Sequence, residues 1–411
     1  VFRQGNVVED DRIAVCVEWR SLVMGIMPHV GLLISTLLVA AIVSLLGNLV
    51  IVCTERWHAH KSFDKDTTGI QKIHKKPVPR IGGLALFVGL LAVHGSDLLN
   101  ASTRSTSDDE LKFSLLLVSA MPAFVAGLIE DLTKTVSALT RLLATFASAL
   151  AACWLLGAFL PRLDVWGLDF VMQWAPAAMV VTAFAVAGVA NSMNVIDGFN
   201  GLAGAAAIAM LSGIGFVAWH GGDTFIVHLA AAGVGASVGF LCLNYPTGRV
   251  FMGDGGAYLL GFWIAETAVL AVMRNPAIIT WHILAICAYP IIEVLFSMYR
   301  RKVMGRAGVG VPDRLHLHSL IYRRLVCRVI PRNDKQSWIR NAAVALIIMA
   351  WIIPITFAAI LFGDSIQGAA LIILIQTLMY LIFYARLVRG RWCLNPAIVL
   401  GFRPSHRTKP L

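Results

Sequence analysis

Charged residues make up only 14% of this 411-residue chain, and the reactive ones gather in five short motifs. The first is His74-Lys75-Lys76-Pro77-Val78-Pro79-Arg80-Ile81-Gly82-Gly83. Cations followed by Gly-Gly at a helix entry can hold phosphate through charge and exposed N–H groups; a basic membrane anchor is the plainer alternative. The second is Glu130-Asp131, with Lys134 a turn later. Adjacent carboxylates at a membrane boundary repel each other and lose solvation, and a divalent cation would relieve both effects. The third runs Asn191-Ser192-Met193-Asn194-Val195-Ile196-Asp197-Gly198-Phe199-Asn200-Gly201-Leu202. The i, i+3 spacing sets the Asn191 and Asn194 amides on one helical face; Asp197 continues that face if the helix persists. Amides beside a carboxylate suit a nucleoside or a sugar, whereas Asx-turns would account for a plain loop.

The fourth motif runs from Asn244-Tyr245-Pro246 to Phe251-Met252-Gly253-Asp254-Gly255-Gly256. It places Asp254 at a helix start, between glycines that allow a ligand to come close; otherwise it is an N-cap. The fifth is Pro312-Asp313-Arg314-Leu315-His316-Leu317-His318. Residues two apart share a side only in extended backbone, so His316 and His318 converge there. Zinc lacks a third soft ligand nearby, and proton transfer or phosphate binding fits Arg and His better. Taken together, carboxylates to hold Mg²⁺ and cations to hold oxygens are what phosphoryl transfer requires.

The elements that must position these motifs are membrane helices. The chain is 58% hydrophobic, with mean hydropathy +0.76, and carries too little charge to solvate a soluble globule. Runs of about 20 apolar residues occur at 30–53, 81–99, 113–129, 138–160, 174–190, 201–220, 225–243, 255–273, 277–297, 341–362 and 369–387. This predicts an all-α polytopic membrane bundle of about 11 transmembrane helices. The first run is too long, and lacks the cleavage site, for a signal peptide. The second, with His94 and Ser96 near its far end, is the weakest span. Seven scattered cysteines form no metal or disulfide pattern.

Segments 54–80, 129–141, 244–254, 298–340 and 386–411 hold 27 of the 34 Lys and Arg residues. Positive residues stay on the cytoplasmic side, which puts the amino terminus outside, the carboxyl terminus inside and all five motifs at the cytoplasmic face. The implied organisation is an extracytoplasmic segment 1–29, a catalytic bundle 30–297, a cytoplasmic basic loop 298–340 with the His-x-His motif, and last helices and tail 341–411. The net charge of +11 serves topology, anionic lipid and an anionic substrate. No nucleic-acid module is present.

The motifs, in this order from Lys75 to His318, resemble the polyprenyl-phosphate N-acetylhexosamine-1-phosphate transferases. NxxNxxDGxNGL and FMGDGG carry the resemblance most specifically. It implies transfer of a sugar-1-phosphate from a UDP-N-acetylhexosamine to undecaprenyl phosphate, with release of UMP, in the bacterial inner membrane. It implies Asp254 as principal Mg²⁺ ligand (Mn²⁺ an alternative ion) and Asp131 with Glu130 as an acidic pair that binds metal or deprotonates the lipid phosphate. Asn191, Asn194, Asp197 and Asn200 would line the nucleotide site with Asn244, and Phe251 would stack on uracil. Lys75, Arg80, Arg314, His316 and His318 would contact pyrophosphate or sugar, His316 also in a catalytic role. Homodimerisation is compatible with this reading.

The chain departs from the family pattern at Glu130, usually Asp; at Ala257, often Ser; and at Val78, often Thr. Leu317 separates two histidines where the peptidoglycan branch has a run of them. This points to the branch that uses N-acetylglucosamine, or a related sugar, for O-antigen, lipopolysaccharide or other surface polymers. A one-step displacement needs only positioning and charge stabilisation; a two-step route through a phosphorylated Asp131 stays open. A transporter is the rival, but its polar groups belong near the bilayer midplane in broken helices.

Overall fold

The computed structural model describes residues 7–63, 77–99, 107–304, 315–331, 333, 336 and 338–389. Two of the expected site residues, Lys75 and Arg314, lie outside them. Apolar runs in lipid must satisfy their own backbone, and helices do so within one segment. The helices are α1 (Val7–Cys53), α2 (Glu55–Ser62), α3 (Gly82–Leu99), α4 (Ser107–Thr133), α5 (Ala138–Leu156), α6 (Leu168–Met172), α7 (Ala175–Ile196), α8 (Leu202–His220) and α9 (Thr224–Asn244). They continue with α10 (Gly253–Arg274), α11 (Thr280–Ile286), α12 (Ala288–Met304), α13 (Leu317–Leu320), a π-helical turn (Ile321–Val326), α14 (Cys327–Val329), α15 (Trp338–Phe362) and α16 (Ile366–Val388).

Among the described residues ten helices are long and apolar enough to cross a membrane, and α11 with α12 forms an eleventh, bent unit. The chain is therefore a multi-pass helical membrane protein, as the hydropathy predicts. Three details differ from the sequence reading. The run 277–297 is not one straight crossing, because its halves meet at 81°. Pro290 has no N–H to return to the Ile286 carbonyl, which removes a helical bond at the bend. The first helix begins well before residue 30; at 47 residues it is about 70 Å long. The basic segment 298–340 holds the end of α12 and the turns 317–329.

α10 is the axis of the bundle. It packs against α3, α4, α7, α8 and α9, and Phe262, Trp263 and Ile264 are wholly buried. Close approach is made by small residues: a Cβ on Gly127 of α4 would lie 2.5 Å from the Gly255 nitrogen of α10. The weak second span is also accounted for, since His94 Nε2 meets Ser114 Oγ of α4 at 2.9 Å. At that end Arg274 pairs with Asp223 at 2.8 Å. At the other end the first and fourth motifs pair backbone to backbone: Phe251 N donates to Pro79 O at 2.8 Å, Gly82 N to Phe251 O at 2.9 Å and Gly83 N to Met252 O at 2.9 Å.

Candidate active site

The ends of α4 and α7 and the starts of α5 and α10 enclose a charged cluster. Asp131, in the last turn of α4 and 1% exposed, accepts hydrogen bonds from Asp254 N and Gly255 N, each 2.9 Å. A helix start leaves N–H groups unsatisfied, and here a carboxylate from another helix caps them. The approach needs glycine at 253: its φ is +74°, and a Cβ there would run into the Asp131 carboxylate. Sequence reasoning allowed an N-cap role for Asp254 itself, but Asp131 supplies the cap, and the Asp254 side chain faces other partners.

Asp254 Oδ1 accepts from Asn194 Nδ2 at 3.1 Å and from Arg80 Nη2 at 3.3 Å. Its Oδ2 is in an ion pair with Arg141. Arg80 also lies 3.8 Å from Asp131 Oδ1. Tyr258 OH reaches Asn194 Oδ1 at 3.5 Å, which leaves the Asn194 NH₂ for the carboxylate. Asp197 follows the last residue of α7 as its cap. Burial pushes its carboxyl up to about 8; nearby Arg80 opposes that rise and the Asp131 charge adds to it. No hydrogen bond engages the Asp197 side chain among the described residues.

Other expected site residues shape the loops. Asn244 Oδ1 accepts from Gly201 N at 2.6 Å and its Nδ2 donates to Val250 O at 2.8 Å. Asn200 donates from Nδ2 to Pro246 O at 3.0 Å, and its backbone N donates to Asn341 Oδ1 at 2.7 Å. Both amides are buried and knit the third motif to the fourth. Asn191 donates to Ala187 O at 2.8 Å and to Thr145 at 3.4 Å. Glu130 does not share the setting of Asp131: its Oε2 accepts from Val136 N at 2.7 Å and closes the α4–α5 turn. Phe251 is partly buried, its backbone in the pairing described above.

The fifth motif docks on the third. His316 has extended backbone, φ −61° and ψ 147°, and its ring stacks on His318 at 5.3 Å and 14°, as alternate spacing requires. His318 is buried and meets Phe199 edge-on at 5.5 Å. His316 Nδ1 lies 3.0 Å from Glu293 Oε1. Among the described residues no group of three or more His, Cys, Asp and Glu converges as a metal cage.

Arg141, Tyr258, Glu293 and Asn341 were missed by sequence reasoning. Two of them carried a signal. Arg141 is a cation in the first turn of a membrane helix, against the helix dipole, just after the Ser137 cap. Glu293 is a carboxyl inside an apolar run, which marks a functional position by default.

The family model for glycosyl transferase family 4 matches residues 113–272, the stretch that carries Glu130, Asp131, Arg141, Asn194, Asp197 and Asp254. The match covers α4 to α10, the helices that hold the charged cluster. The chain is similar to known relatives over a longer stretch. It is 28% identical over 288 residues to the probable undecaprenyl-phosphate N-acetylglucosaminyl 1-phosphate transferase of Bacillus subtilis, covering 69% of this chain and 76% of the relative. It is 28% identical over 318 residues to the decaprenyl-phosphate N-acetylglucosaminephosphotransferase of Mycobacterium tuberculosis, covering 70% and 72%. With the undecaprenyl-phosphate alpha-N-acetylglucosaminyl 1-phosphate transferase of Yersinia pestis it shares 28% over 270 residues, covering 63% and 69%.

An apolar groove of about 790 Å³ lies between α8, α9 and α15. Ala209 and Phe216 of α8, Leu241 and Tyr245 at the end of α9, and Met349 and Phe357 of α15 line it. Gly201, next to Asn200, lines it too.

The oxygen donors suit a hard divalent cation. Such ions are held by one or two carboxylates and complete their shell with substrate phosphates. Asp254 is the carboxylate already ringed by cationic and amide groups, and the Asp197 carboxyl, without a hydrogen bond among the described residues, is a second oxygen donor near Arg80. Asp131 has both oxygens on backbone N–H groups.

Proposed function

We propose that this chain transfers N-acetylhexosamine-1-phosphate from a UDP-sugar to a polyprenyl phosphate, releasing UMP. The observation that carries the reading is the Asp254 carboxylate, fixed from below by Asp131 and flanked by Arg80, Arg141 and Asn194. An anion held among guanidiniums at a helix start is arranged to meet a pyrophosphate and its counter-cation.

The lipid phosphate oxygen attacks the phosphorus attached to the sugar, a new P–O bond forms, and the bond to UMP breaks. The bond between sugar and oxygen is untouched, so anomeric configuration is retained. Mg²⁺, held by Asp254 with Asp197 as second carboxylate, would neutralise pyrophosphate charge. Arg80 and Arg141 hold the phosphate oxygens; preorganised charge of this kind is where most stabilisation of such a transition state arises. Asp131 keeps Asp254 in place, and His316 handles a proton of the acceptor phosphate. The amides of the third motif and Phe251 receive the nucleoside. The groove lined by Gly201 takes the isoprenoid chain of the acceptor, because its walls are apolar side chains and Gly201 lies in the third motif.

The same reading puts the site on the cytoplasmic side of a bacterial inner membrane, in line with the basic-residue bias, and the product at the start of O-antigen or another surface polymer. The test is an assay on membranes with a panel of radiolabelled UDP-N-acetylhexosamines. Label should appear in the lipid extract with stoichiometric UMP; release of UDP instead would mean transfer of the sugar without its phosphate. Single cysteines at Ser137 and at fully exposed Trp166, in a cysteine-free background, test the orientation. Only that at 166 should react with an impermeant thiol reagent in intact cells.

A further inference from the structure

Glu293 lies in the second turn of α12, just past the break, and is wholly buried. A carboxylate taken fully out of water is costly unless its oxygens are met by donors. Two of these donors come from one short segment. Oε1 accepts from Leu317 N at 3.1 Å, Oε2 from the same N–H at 3.3 Å, and Oε1 also meets His316 Nδ1 at 3.0 Å. An ionised carboxylate can only accept, so the proton of the His316 ring belongs on Nδ1 and the lone pair on Nε2. The same carboxylate caps the start of α13, and the parallel stacking with His318 limits rotation of the His316 ring. One side chain from another helix thus contacts both the ring and the backbone of His-x-His at its first residues.

We propose that Glu293 is the positioning residue of this site: it holds His316 in the Nδ1–H tautomer, so that Nε2 is the nitrogen that takes up and returns a proton. The inference rests on the reading of His316 as the proton-handling group. A carboxylate that orients a histidine in this way acts through the histidine and not on the substrate. An amide could still set its oxygen against both Nδ1–H and Leu317 N, so the acceptor has to be removed, as in Glu293→Leu, before the ring is free to take the opposite tautomer. Positioned proton transfer contributes about 10²–10⁴-fold to a rate, so the loss should fall mainly in kcat.

The test uses the purified full-length protein with ¹⁵N-labelled histidine rings, in four forms beside the wild type: Glu293→Leu, Glu293→Asp, His316→Ala, and Glu293→Leu with His316→Ala. The His316 signal, assigned by its loss in His316→Ala, should report Nδ1–H in the wild type and in Glu293→Asp, and Nε2–H in Glu293→Leu. In the transferase assay Glu293→Leu should lose about 10²–10³-fold in kcat, with KM for the UDP-sugar within a few-fold. The double variant should be no slower than His316→Ala, because the two residues act as a unit. An Nε2–H signal in the wild type overturns the proposal, as does an unchanged tautomer in Glu293→Leu or a further multiplicative loss in the double variant. If Glu293→Leu does not fold, the wild-type and Glu293→Asp tautomers still decide. If the wild type transfers no sugar phosphate, the functional reading falls while the ring spectra still judge the role of Glu293.

Discussion

Asp131 is the position where a catalytic and a structural role give different numbers. In the structure it accepts two N–H bonds of 2.9 Å at the start of α10 and lies 3.8 Å from the Arg80 guanidinium. Asp131→Asn keeps one acceptor and turns an NH₂ against the other N–H. One charge-assisted bond is lost, about 1.5–3 kcal/mol, and with it the favourable charge at a helix N-terminus, up to about 2 kcal/mol in a partly buried setting. The first turn of α10 should loosen by that amount, and Asp254 with it. A misplacement of about 1 Å costs about 10²-fold in rate. The expected outcome is therefore a lower apparent Tm in detergent and a fall of about 10²-fold in kcat by UMP release, with residual turnover well above background. A nucleophile would behave otherwise. Unchanged thermal stability with activity at background, together with phosphate trapped on Asp131 by rapid quench, would refute the capping argument and establish the two-step route.

Four further outcomes are expected. Arg141→Ala should lower kcat/KM for the UDP-sugar about 10²-fold, the usual size of one preorganised charge contact, with Arg141→Lys partly active; equal activity of Ala and wild type would remove Arg141 from the site. Asp197→Asn should be more heat-stable than wild type. The Asp197 carboxyl is raised to about 8 when folded and is 3.8 ordinarily, so ionising it costs the folded state increasingly as pH rises from about 4 to 8. The gain in apparent Tm should grow over that window and level off above it; a gain that does not change with pH would contradict the burial. Ala209→Trp should raise KM for polyprenyl phosphate about tenfold, the cost of displacing roughly two methylenes of chain, and leave KM for the UDP-sugar alone. Equal rises in both would place the isoprenoid elsewhere. Chelation should stop turnover and Mg²⁺ restore it, with Asp254→Asn inactive at any Mg²⁺ concentration; near-normal turnover of that variant at low Mg²⁺ would remove the metal from Asp254.

Much of the fold was legible because each crossing needs a long apolar run, and such runs are conspicuous. What escaped was geometry inside a run. Residues 277–297 read as one span since a single proline, Pro290, barely alters hydropathy, yet it removes the bond that would keep α11 and α12 collinear. Residue types and spacing picked out Arg80, Asp131, Asn194 and Asp254, which the structure brings into contact, and the stacked histidine pair. They could not say which side chains face inward. Asn200 and Asn244 look alike in sequence, but in the structure Asn244 has donor and acceptor both on loop backbone, while Asn200 donates to Pro246 O and its Oδ1 has no partner among the described residues. Asp131 and Glu130 look like an equivalent pair, but successive residues on a helix point about 100° apart, so one caps α10 while the other closes a turn. Arg141 and Glu293 act across helices, on Asp254 and His316, more than 20 positions away in each case, and such pairings cannot be read along a chain.

The broken span bears on the rival reading, because discontinuous helices are a mark of transporters. In a transporter the break itself lines a midplane site. Here the 81° bend at Cys287 is flanked by Ile283, Ile286 and Ala288, all buried, and the polar groups it serves are one or more turns further on, where Glu293 meets the His-x-His segment. Glu266, a carboxyl deep within α10, is 0% exposed and lies about 18 Å along the helix from Asp254. Buried Trp263 and Leu270 flank it on the same helix, and it sits about three turns away from the Asp254 cluster. The groups that can bind an anion converge instead at helix ends, where free N–H dipoles and cations from the interface can meet it without carrying charge into the hydrocarbon. That placement suits a reaction between a water-soluble nucleotide and a lipid head group at the membrane surface. It does not suit the passage of either across the membrane.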